Sequence, residues 1–169
     1  SILWASGLLK LNIHGEPVYP PLPEAVLATQ SVPGRGWPRQ GVEETARRSV
    51  YVHVKRTLSV PLLSDHDQAA TDTPCAVRFA STVPTQALGM LNSEFMADQS
   101  RRFSERIRRE AGNSAEAQIR HGLKLVLQRE PSRDEVAICR RTIDTLKTEH
   151  HLSEETALQR FALLALNLN

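Results

Sequence analysis

Between Gly15 and Gly41 stand Pro17, Pro20, Pro21, Pro23, Pro33 and Pro38, with Gly34 and Gly36 among them. Proline fixes φ and carries no N–H, so neither a long helix nor a central strand can run through such a stretch. Residues 1–41 are therefore expected to form an extended Pro/Gly-rich arm. Two short helices interrupt it. One covers the apolar residues 2–9, with Gly7 placed to cap it. The other runs from Pro23 to Thr29, where Pro23 suits the first helical position. Beyond Thr85 the only proline is Pro131, and the pattern there changes to the helical period.

Thr85 can cap a helix carrying Leu88 and Leu91. Asn92 ends that helix or caps the next, which holds Phe95, Phe103, Ile107 and Ala111 on one side and stops near Gly112-Asn113. Ser114 caps a helix with Ile119, Leu123, Val126 and Leu127 inward, and Pro131 bars its extension. Ser132-Arg133-Asp134-Glu135 is a capping box. Val136, Cys139, Ile143 and Leu146 follow at spacings of three, four and three, which is one apolar seam. Ser153 caps a last helix with Leu158, Phe161, Leu164 and Leu168 inward. The connections are short, which favours antiparallel neighbours. The fold class is mainly α: an antiparallel helical bundle over 85–169, with an extended N-terminal half and room for one short strand. The 169 residues suit a single domain.

The segment 42–84 is expected to be extended or irregular. In residues 48–56, Val50, Val52 and Val54 alternate with Tyr51, His53 and Lys55, which favours a strand with the valines buried. EETARRS, starting near Glu43, makes a helix the rival. Pro61, Pro74, Pro84 and the turn formers of SDHDQAATDT break up residues 59–84.

A net charge of +2 from 21 basic and 19 acidic residues is too even to indicate nucleic acid. Arg101, Arg102, Arg106, Arg108 and Arg109 crowd one helix, but Glu105 and Glu110 stand at pairing distance, so a solvated face is favoured over an anion-binding one. No apolar run reaches membrane-span length. Cys75 and Cys139 form neither C-x-x-C nor C-x-x-C-H, so there is no local signature for zinc or attached haem. No cofactor is expected here. The chain opens and closes inside apolar patterns and reads as a fragment of a longer protein.

Asp65, His66, Asp67 and Asp72 are the metal-like cluster. Close-set carboxylates in a loop suit calcium, yet the sixth-position glycine and the twelfth-position glutamate of a calcium loop are missing. Turn capping and pairing with Arg47, Arg48 or Arg78 are the alternative role. His53 can be oriented by Asp65 or Asp67 as a base, with Ser49, Ser64 or Cys75 as nucleophile, but no catalytic-serine context surrounds them. Arg47, Arg48, Tyr51 and Arg78 are candidates for binding an anion or a glycan. An internal Arg–Asp network is favoured over that role.

RRSVY, VPLLSDHDQAATDTPCAVRF and TVPTQALGMLNSEF strongly resemble planctomycete-specific domain one, a domain of unknown function toward the C-terminal end of large exported proteins. SILWASGLLKLNIHGEPVYPPLP and LQREPSRDE are similar to further segments of the same family. The chain has His14-Gly15-Glu16 where the family carries paired glycines, and DHDQAATD where it carries an F-D-A-P loop. The resemblance implies an extracytoplasmic setting, periplasmic or cell surface. It also implies that other domains of the same parent chain are partners, one of them cytochrome c-like, and haem would belong to that separate domain. Protein or polysaccharide partners fit such a setting; nucleic acid does not. A disulfide or a calcium site becomes more plausible there. The expected role is a non-catalytic scaffold or interaction module, with a metal-dependent hydrolase-like or glycan/anion-binding site around 47–78 as the alternative.

Overall fold

The computed structural model describes residues 1–69, Val77 and residues 84–168. The elements are α1 (Ile2–Ala5), α2 (Glu24–Leu27), α3 (Val42–Thr45), a 3-10 turn (Ser49–Tyr51), α4 (Pro61–Ser64), α5 (Pro84–Asn92), α6 (Glu94–Ala111), α7 (Ala115–Leu127), α8 (Arg133–Thr148) and α9 (Glu154–Leu166). The chain divides into two compact units. One joins Ser1–Gly7 to Met90–Asn169, and the other is Leu8–Gly89.

In the first unit, α6 to α9 form the helical bundle. Each begins at a serine whose Oγ accepts an amide proton: Ser93 from Met96, Ser114 from Ala117, Ser132 from Glu135 and Ser153 from Thr156. These hydroxyls satisfy amides that have no partner within their helix. The Ser132 box closes both ways, because the Glu135 carboxylate also accepts from the Ser132 amide at 2.7 Å. α6 stops where Gly112 takes φ 69°, and α7 stops where Gln128 turns left-handed.

Phe103, Ile107, Ile119, Leu123, Val136, Ile143, Leu158 and Phe161 are buried in one core. α9 packs on α6, α7 and α8. The approach is close at Gly122, where a Cβ would lie 2.9 Å from Ile107 Cδ1 and 3.1 Å from Phe161 Cε1. The core also contains polar side chains that the apolar pattern does not mark: Gln99, Ser100, Ser104 and Gln118. Each has a partner. Ser6 Oγ donates to Gln99 Oε1 at 2.7 Å, and the Ser100 and Ser104 hydroxyls donate to carbonyls one turn back. Gln118 Nε2 donates to the carbonyl of Gly112.

The expected inward face of α9 is shifted. Leu164 and Leu168 are 45% and 57% exposed, whereas Ala157, Ala162, Ala165 and Leu166 are buried with Leu158 and Phe161. At 3.6 residues per turn, the track from Leu158 continues through Ala162 and Ala165, and Leu164 falls well off it. α5 starts at Pro84, one residue before the expected cap at Thr85, and Asn92 ends it. Pro23 stands just outside α2 rather than at its first helical position.

The second unit has little regular structure. Val18 pairs in parallel with Val52: its amide donates to the Tyr51 carbonyl at 2.8 Å, and its own carbonyl accepts from His53 at 2.9 Å. Lys10 pairs in the same way with Arg47, and Lys55 pairs antiparallel with Leu58. These are isolated bridges, and among the described residues no strand forms at 48–56. The 3-10 turn rotates Val50 outward and the turn at 55–58 ends the pairing, leaving Val50 and Val54 76% and 55% exposed. The rival helix is present only as the single turn α3, where the Glu44 carboxylate accepts from the Gly41 amide.

Candidate functional site

Prolines remove donors, so the arm's carbonyls must find partners elsewhere. Side chains supply them. Arg47 Nη1 donates to Glu16 O at 2.9 Å, and its Nη2 donates to Asn12 O at 3.1 Å and His14 O at 2.5 Å. Two successive left-handed residues, His14 at φ 68° and Gly15 at φ 95°, turn the chain so that alternate carbonyls converge on one cation. The guanidinium carbon lies 3.7 Å from the centre of the Tyr51 ring, and the Tyr51 hydroxyl accepts from the His14 amide at 3.1 Å. A planar cation that both forks and stacks is what this position needs, and lysine cannot do both. Arg47 Nε is buried without a partner. Among the described residues, the hydrogen-bond partners of Arg47 are backbone oxygens.

Of the other anion or glycan candidates, Tyr51 is half-buried in this clasp, Arg48 is exposed one residue away, and Arg78 lies outside the described residues. The structure thus brings Arg47 and Tyr51 together, and the clasp occupies both.

Among the metal candidates, Asp65 ends α4 and is exposed. Its Oδ2 comes so near α5 that a Cβ on Gly89 would be 2.8 Å away. His66 Nδ1 lies 2.8 Å from Leu62 O. Asp67 has φ 57°, and Asp72 lies outside the described residues, as does Cys75. Among the described residues no three His, Cys, Asp or Glu side chains are grouped as metal ligands. Cys139 is a free, half-buried thiol on α8, and burial pushes its pKa up.

The ring contacts that His53 makes among the described residues are aromatic. It packs at 4.8 Å on Tyr19 and at 6.1 Å on Trp37, and Tyr19 meets Trp37 edge-on at 5.3 Å. Trp37 is buried, and its Nε1 donates to Pro20 O at 3.0 Å. Of this aromatic triad only His53 is singled out by the sequence, as a candidate base; its grouping with Tyr19 and Trp37 is not. Its members are far apart in sequence, and no local spacing marks them.

The arginines of α6 form a solvated, paired face. Arg101 bonds Asp98 and Glu105, Arg102 bonds Asp98, and Arg106 bonds Glu110 at 2.8 Å. Arg106 also reaches back to the carbonyls of Trp4 and Ala5, each at 2.9 Å. Glu110 accepts from His121 as well. Burial works against its charge, but the hydrogen bonds from Arg106 and His121 outweigh it and hold the carboxyl below its usual range.

The described residues thus form a helical bundle unit and a coil unit clasped by arginine. Residues 1–143 match the model of PSD1, a protein family of unknown function (DUF1553), and the chain belongs to that family. No curated protein and no solved structure matches the chain.

Proposed function

We propose that this domain is a non-catalytic scaffold or interaction module of an exported multidomain protein, working outside the cytoplasm beside other domains of the same parent chain. One observation carries the reading. Arg47 turns onto three carbonyls of its own chain and onto Tyr51. A guanidinium so engaged fixes backbone, and a ligand would have to displace those bonds to use it. Purified chain incubated with polysaccharide and ester substrates is expected to show no turnover above buffer; robust turnover contradicts the reading. Millimolar calcium or zinc is expected to leave the melting temperature unchanged, because only an ion bound to the folded state raises it. A rise that Asp67→Ala abolishes would favour the metal-site alternative instead.

A further inference from the structure

In the coil unit the run Pro20-Pro21-Leu22-Pro23 leads into α2. Each proline ring fixes its own φ and confines the residue before it to extended backbone. Tyr19, Pro20 and Leu22 all precede a proline, so the run is held to the polyproline II form. Pro23, at φ −56° and ψ 143°, has that geometry. With three residues per turn, Tyr19 and Leu22 share one edge of this helix. That edge faces inward: both residues are half-buried, and Tyr19 packs on Trp37 and His53. Pro21 and Pro23 are exposed, and so is Glu24 beside them.

The run is not a free linker, because it is pinned at both ends. The Tyr19 amide donates to Gln40 Oε1 at 2.7 Å, and Pro23 O accepts from the amides of Val26 and Leu27. Between them Trp37 Nε1 donates to Pro20 O at 3.0 Å. Among the described residues no hydrogen bond reaches the carbonyls of Pro21 and Leu22. The chain's own grip on Pro20 shows what recognises such a helix: an aromatic ring at its side and an indole N–H on a carbonyl. The outward side offers the same features, proline rings and open carbonyls, with no group of the described residues upon them.

We propose that the outward side of Pro20–Pro23 is a docking ligand for a protein partner with an aromatic-lined groove. An indole N–H of that groove bonds the Pro21 or Leu22 carbonyl, and a basic rim meets Glu24. The helix is already fixed, so docking has little chain left to order. The proposal rests on the interaction-module reading and deepens it by naming the chemistry of the partner.

The test is an NMR titration of the isotope-labelled full chain with two purified probes, a WW domain and an SH3 domain, whose grooves take polyproline II helices. At least one probe is expected to give saturable shifts at the Leu22 and Glu24 amides while α6 to α9 stay unmoved. The same probe with its groove tryptophan replaced should bind at least tenfold more weakly. Pro21→Ala is expected to weaken binding at least tenfold, and Glu24→Gln severalfold with an unchanged melting temperature. Glu24→Gln keeps the test sound if Pro21→Ala loosens the run itself. No saturable shift with either probe at millimolar concentration, shifts confined to α6 to α9, or insensitivity to both substitutions overturns the proposal. None of those results touches the non-catalytic reading, which turnover would overturn.

Discussion

Arg106 and Arg47 do the same mechanical task in different surroundings. Arg106 belongs to the bundle unit. It ties the end of α1 to α6 through two carbonyls, and Glu110 balances its charge at 2.8 Å. Arg47 belongs to the coil unit. It ties residues 12–16 through three carbonyls and lies on an aromatic ring, and its partners carry no formal charge. In the bundle, helices already satisfy the backbone and apolar burial supplies the cohesion, so the arginine is an addition. In the coil unit, prolines and turns leave carbonyls without backbone donors, and Arg47, Trp37 and Lys55 supply the missing N–H groups. A segment with little regular structure can therefore be specified as tightly as a helix, but by a few side chains whose loss is local.

The contrast gives graded expectations. Deleting the fully buried ring with Phe103→Ala should cost about 3–5 kcal/mol, read from denaturant midpoints, because a cavity remains in the bundle core. A smaller loss would show that the core collapses onto the gap. Gly122→Ala should cost about 1–3 kcal/mol by forcing Ile107 and Phe161 apart. Neutral behaviour in thermal melts would mean that α7 can shift freely. In the coil unit the sign reverses at His14. Its left-handed φ is strained for a residue with a Cβ, so His14→Gly should stabilise by up to about 1 kcal/mol. A loss of stability would mean that the histidine ring contributes more than the strain costs.

The smallest effect concerns the exposed capping box. The Arg129 guanidinium and the Ser132 amide pull the Glu135 carboxyl down to about 2 from its ordinary 4.5. Its folded pKa lies below its unfolded one. The bond therefore contributes above the usual carboxylate range and is lost as pH falls from about 4.5 through about 2. Carboxyl NMR titration should place Glu135 near that value, and Arg129→Gln should move it upward; an unmoved titration would remove Arg129 as the cause.

The bundle was legible in the sequence because its signals are local. Serine caps, the Ser132–Glu135 box and apolar residues at helical spacing act within one or two turns. Even so, the leucine pattern places only half of the inward face of α9: Leu158 and Phe161 are buried as expected, but Ala162, Ala165 and Leu166 take the places expected of Leu164 and Leu168. The coil unit was less legible for a physical reason. Its valine alternation suggested a strand, but a single bridge to Val18 and a 3-10 turn replace it. Arginine reads in sequence as a partner for aspartate, whereas the carbonyls that Arg47 takes belong to every residue and have no signature. His14 and Gly15 both take left-handed φ, and only the glycine of the two signals that in sequence.

Native-state hydrogen exchange on Arg47→Ala tests the central claim most directly. The amides of Lys10, Val18 and His53 donate to Ala46, Tyr51 and Val18, and they report whether the arm is fastened. With the clasp removed, these amides should lose at least tenfold protection, Arg47→Lys should restore less than half of it, and α6 to α9 should exchange as before. Unchanged protection at those three amides, or equal loss throughout α6 to α9, would contradict the account.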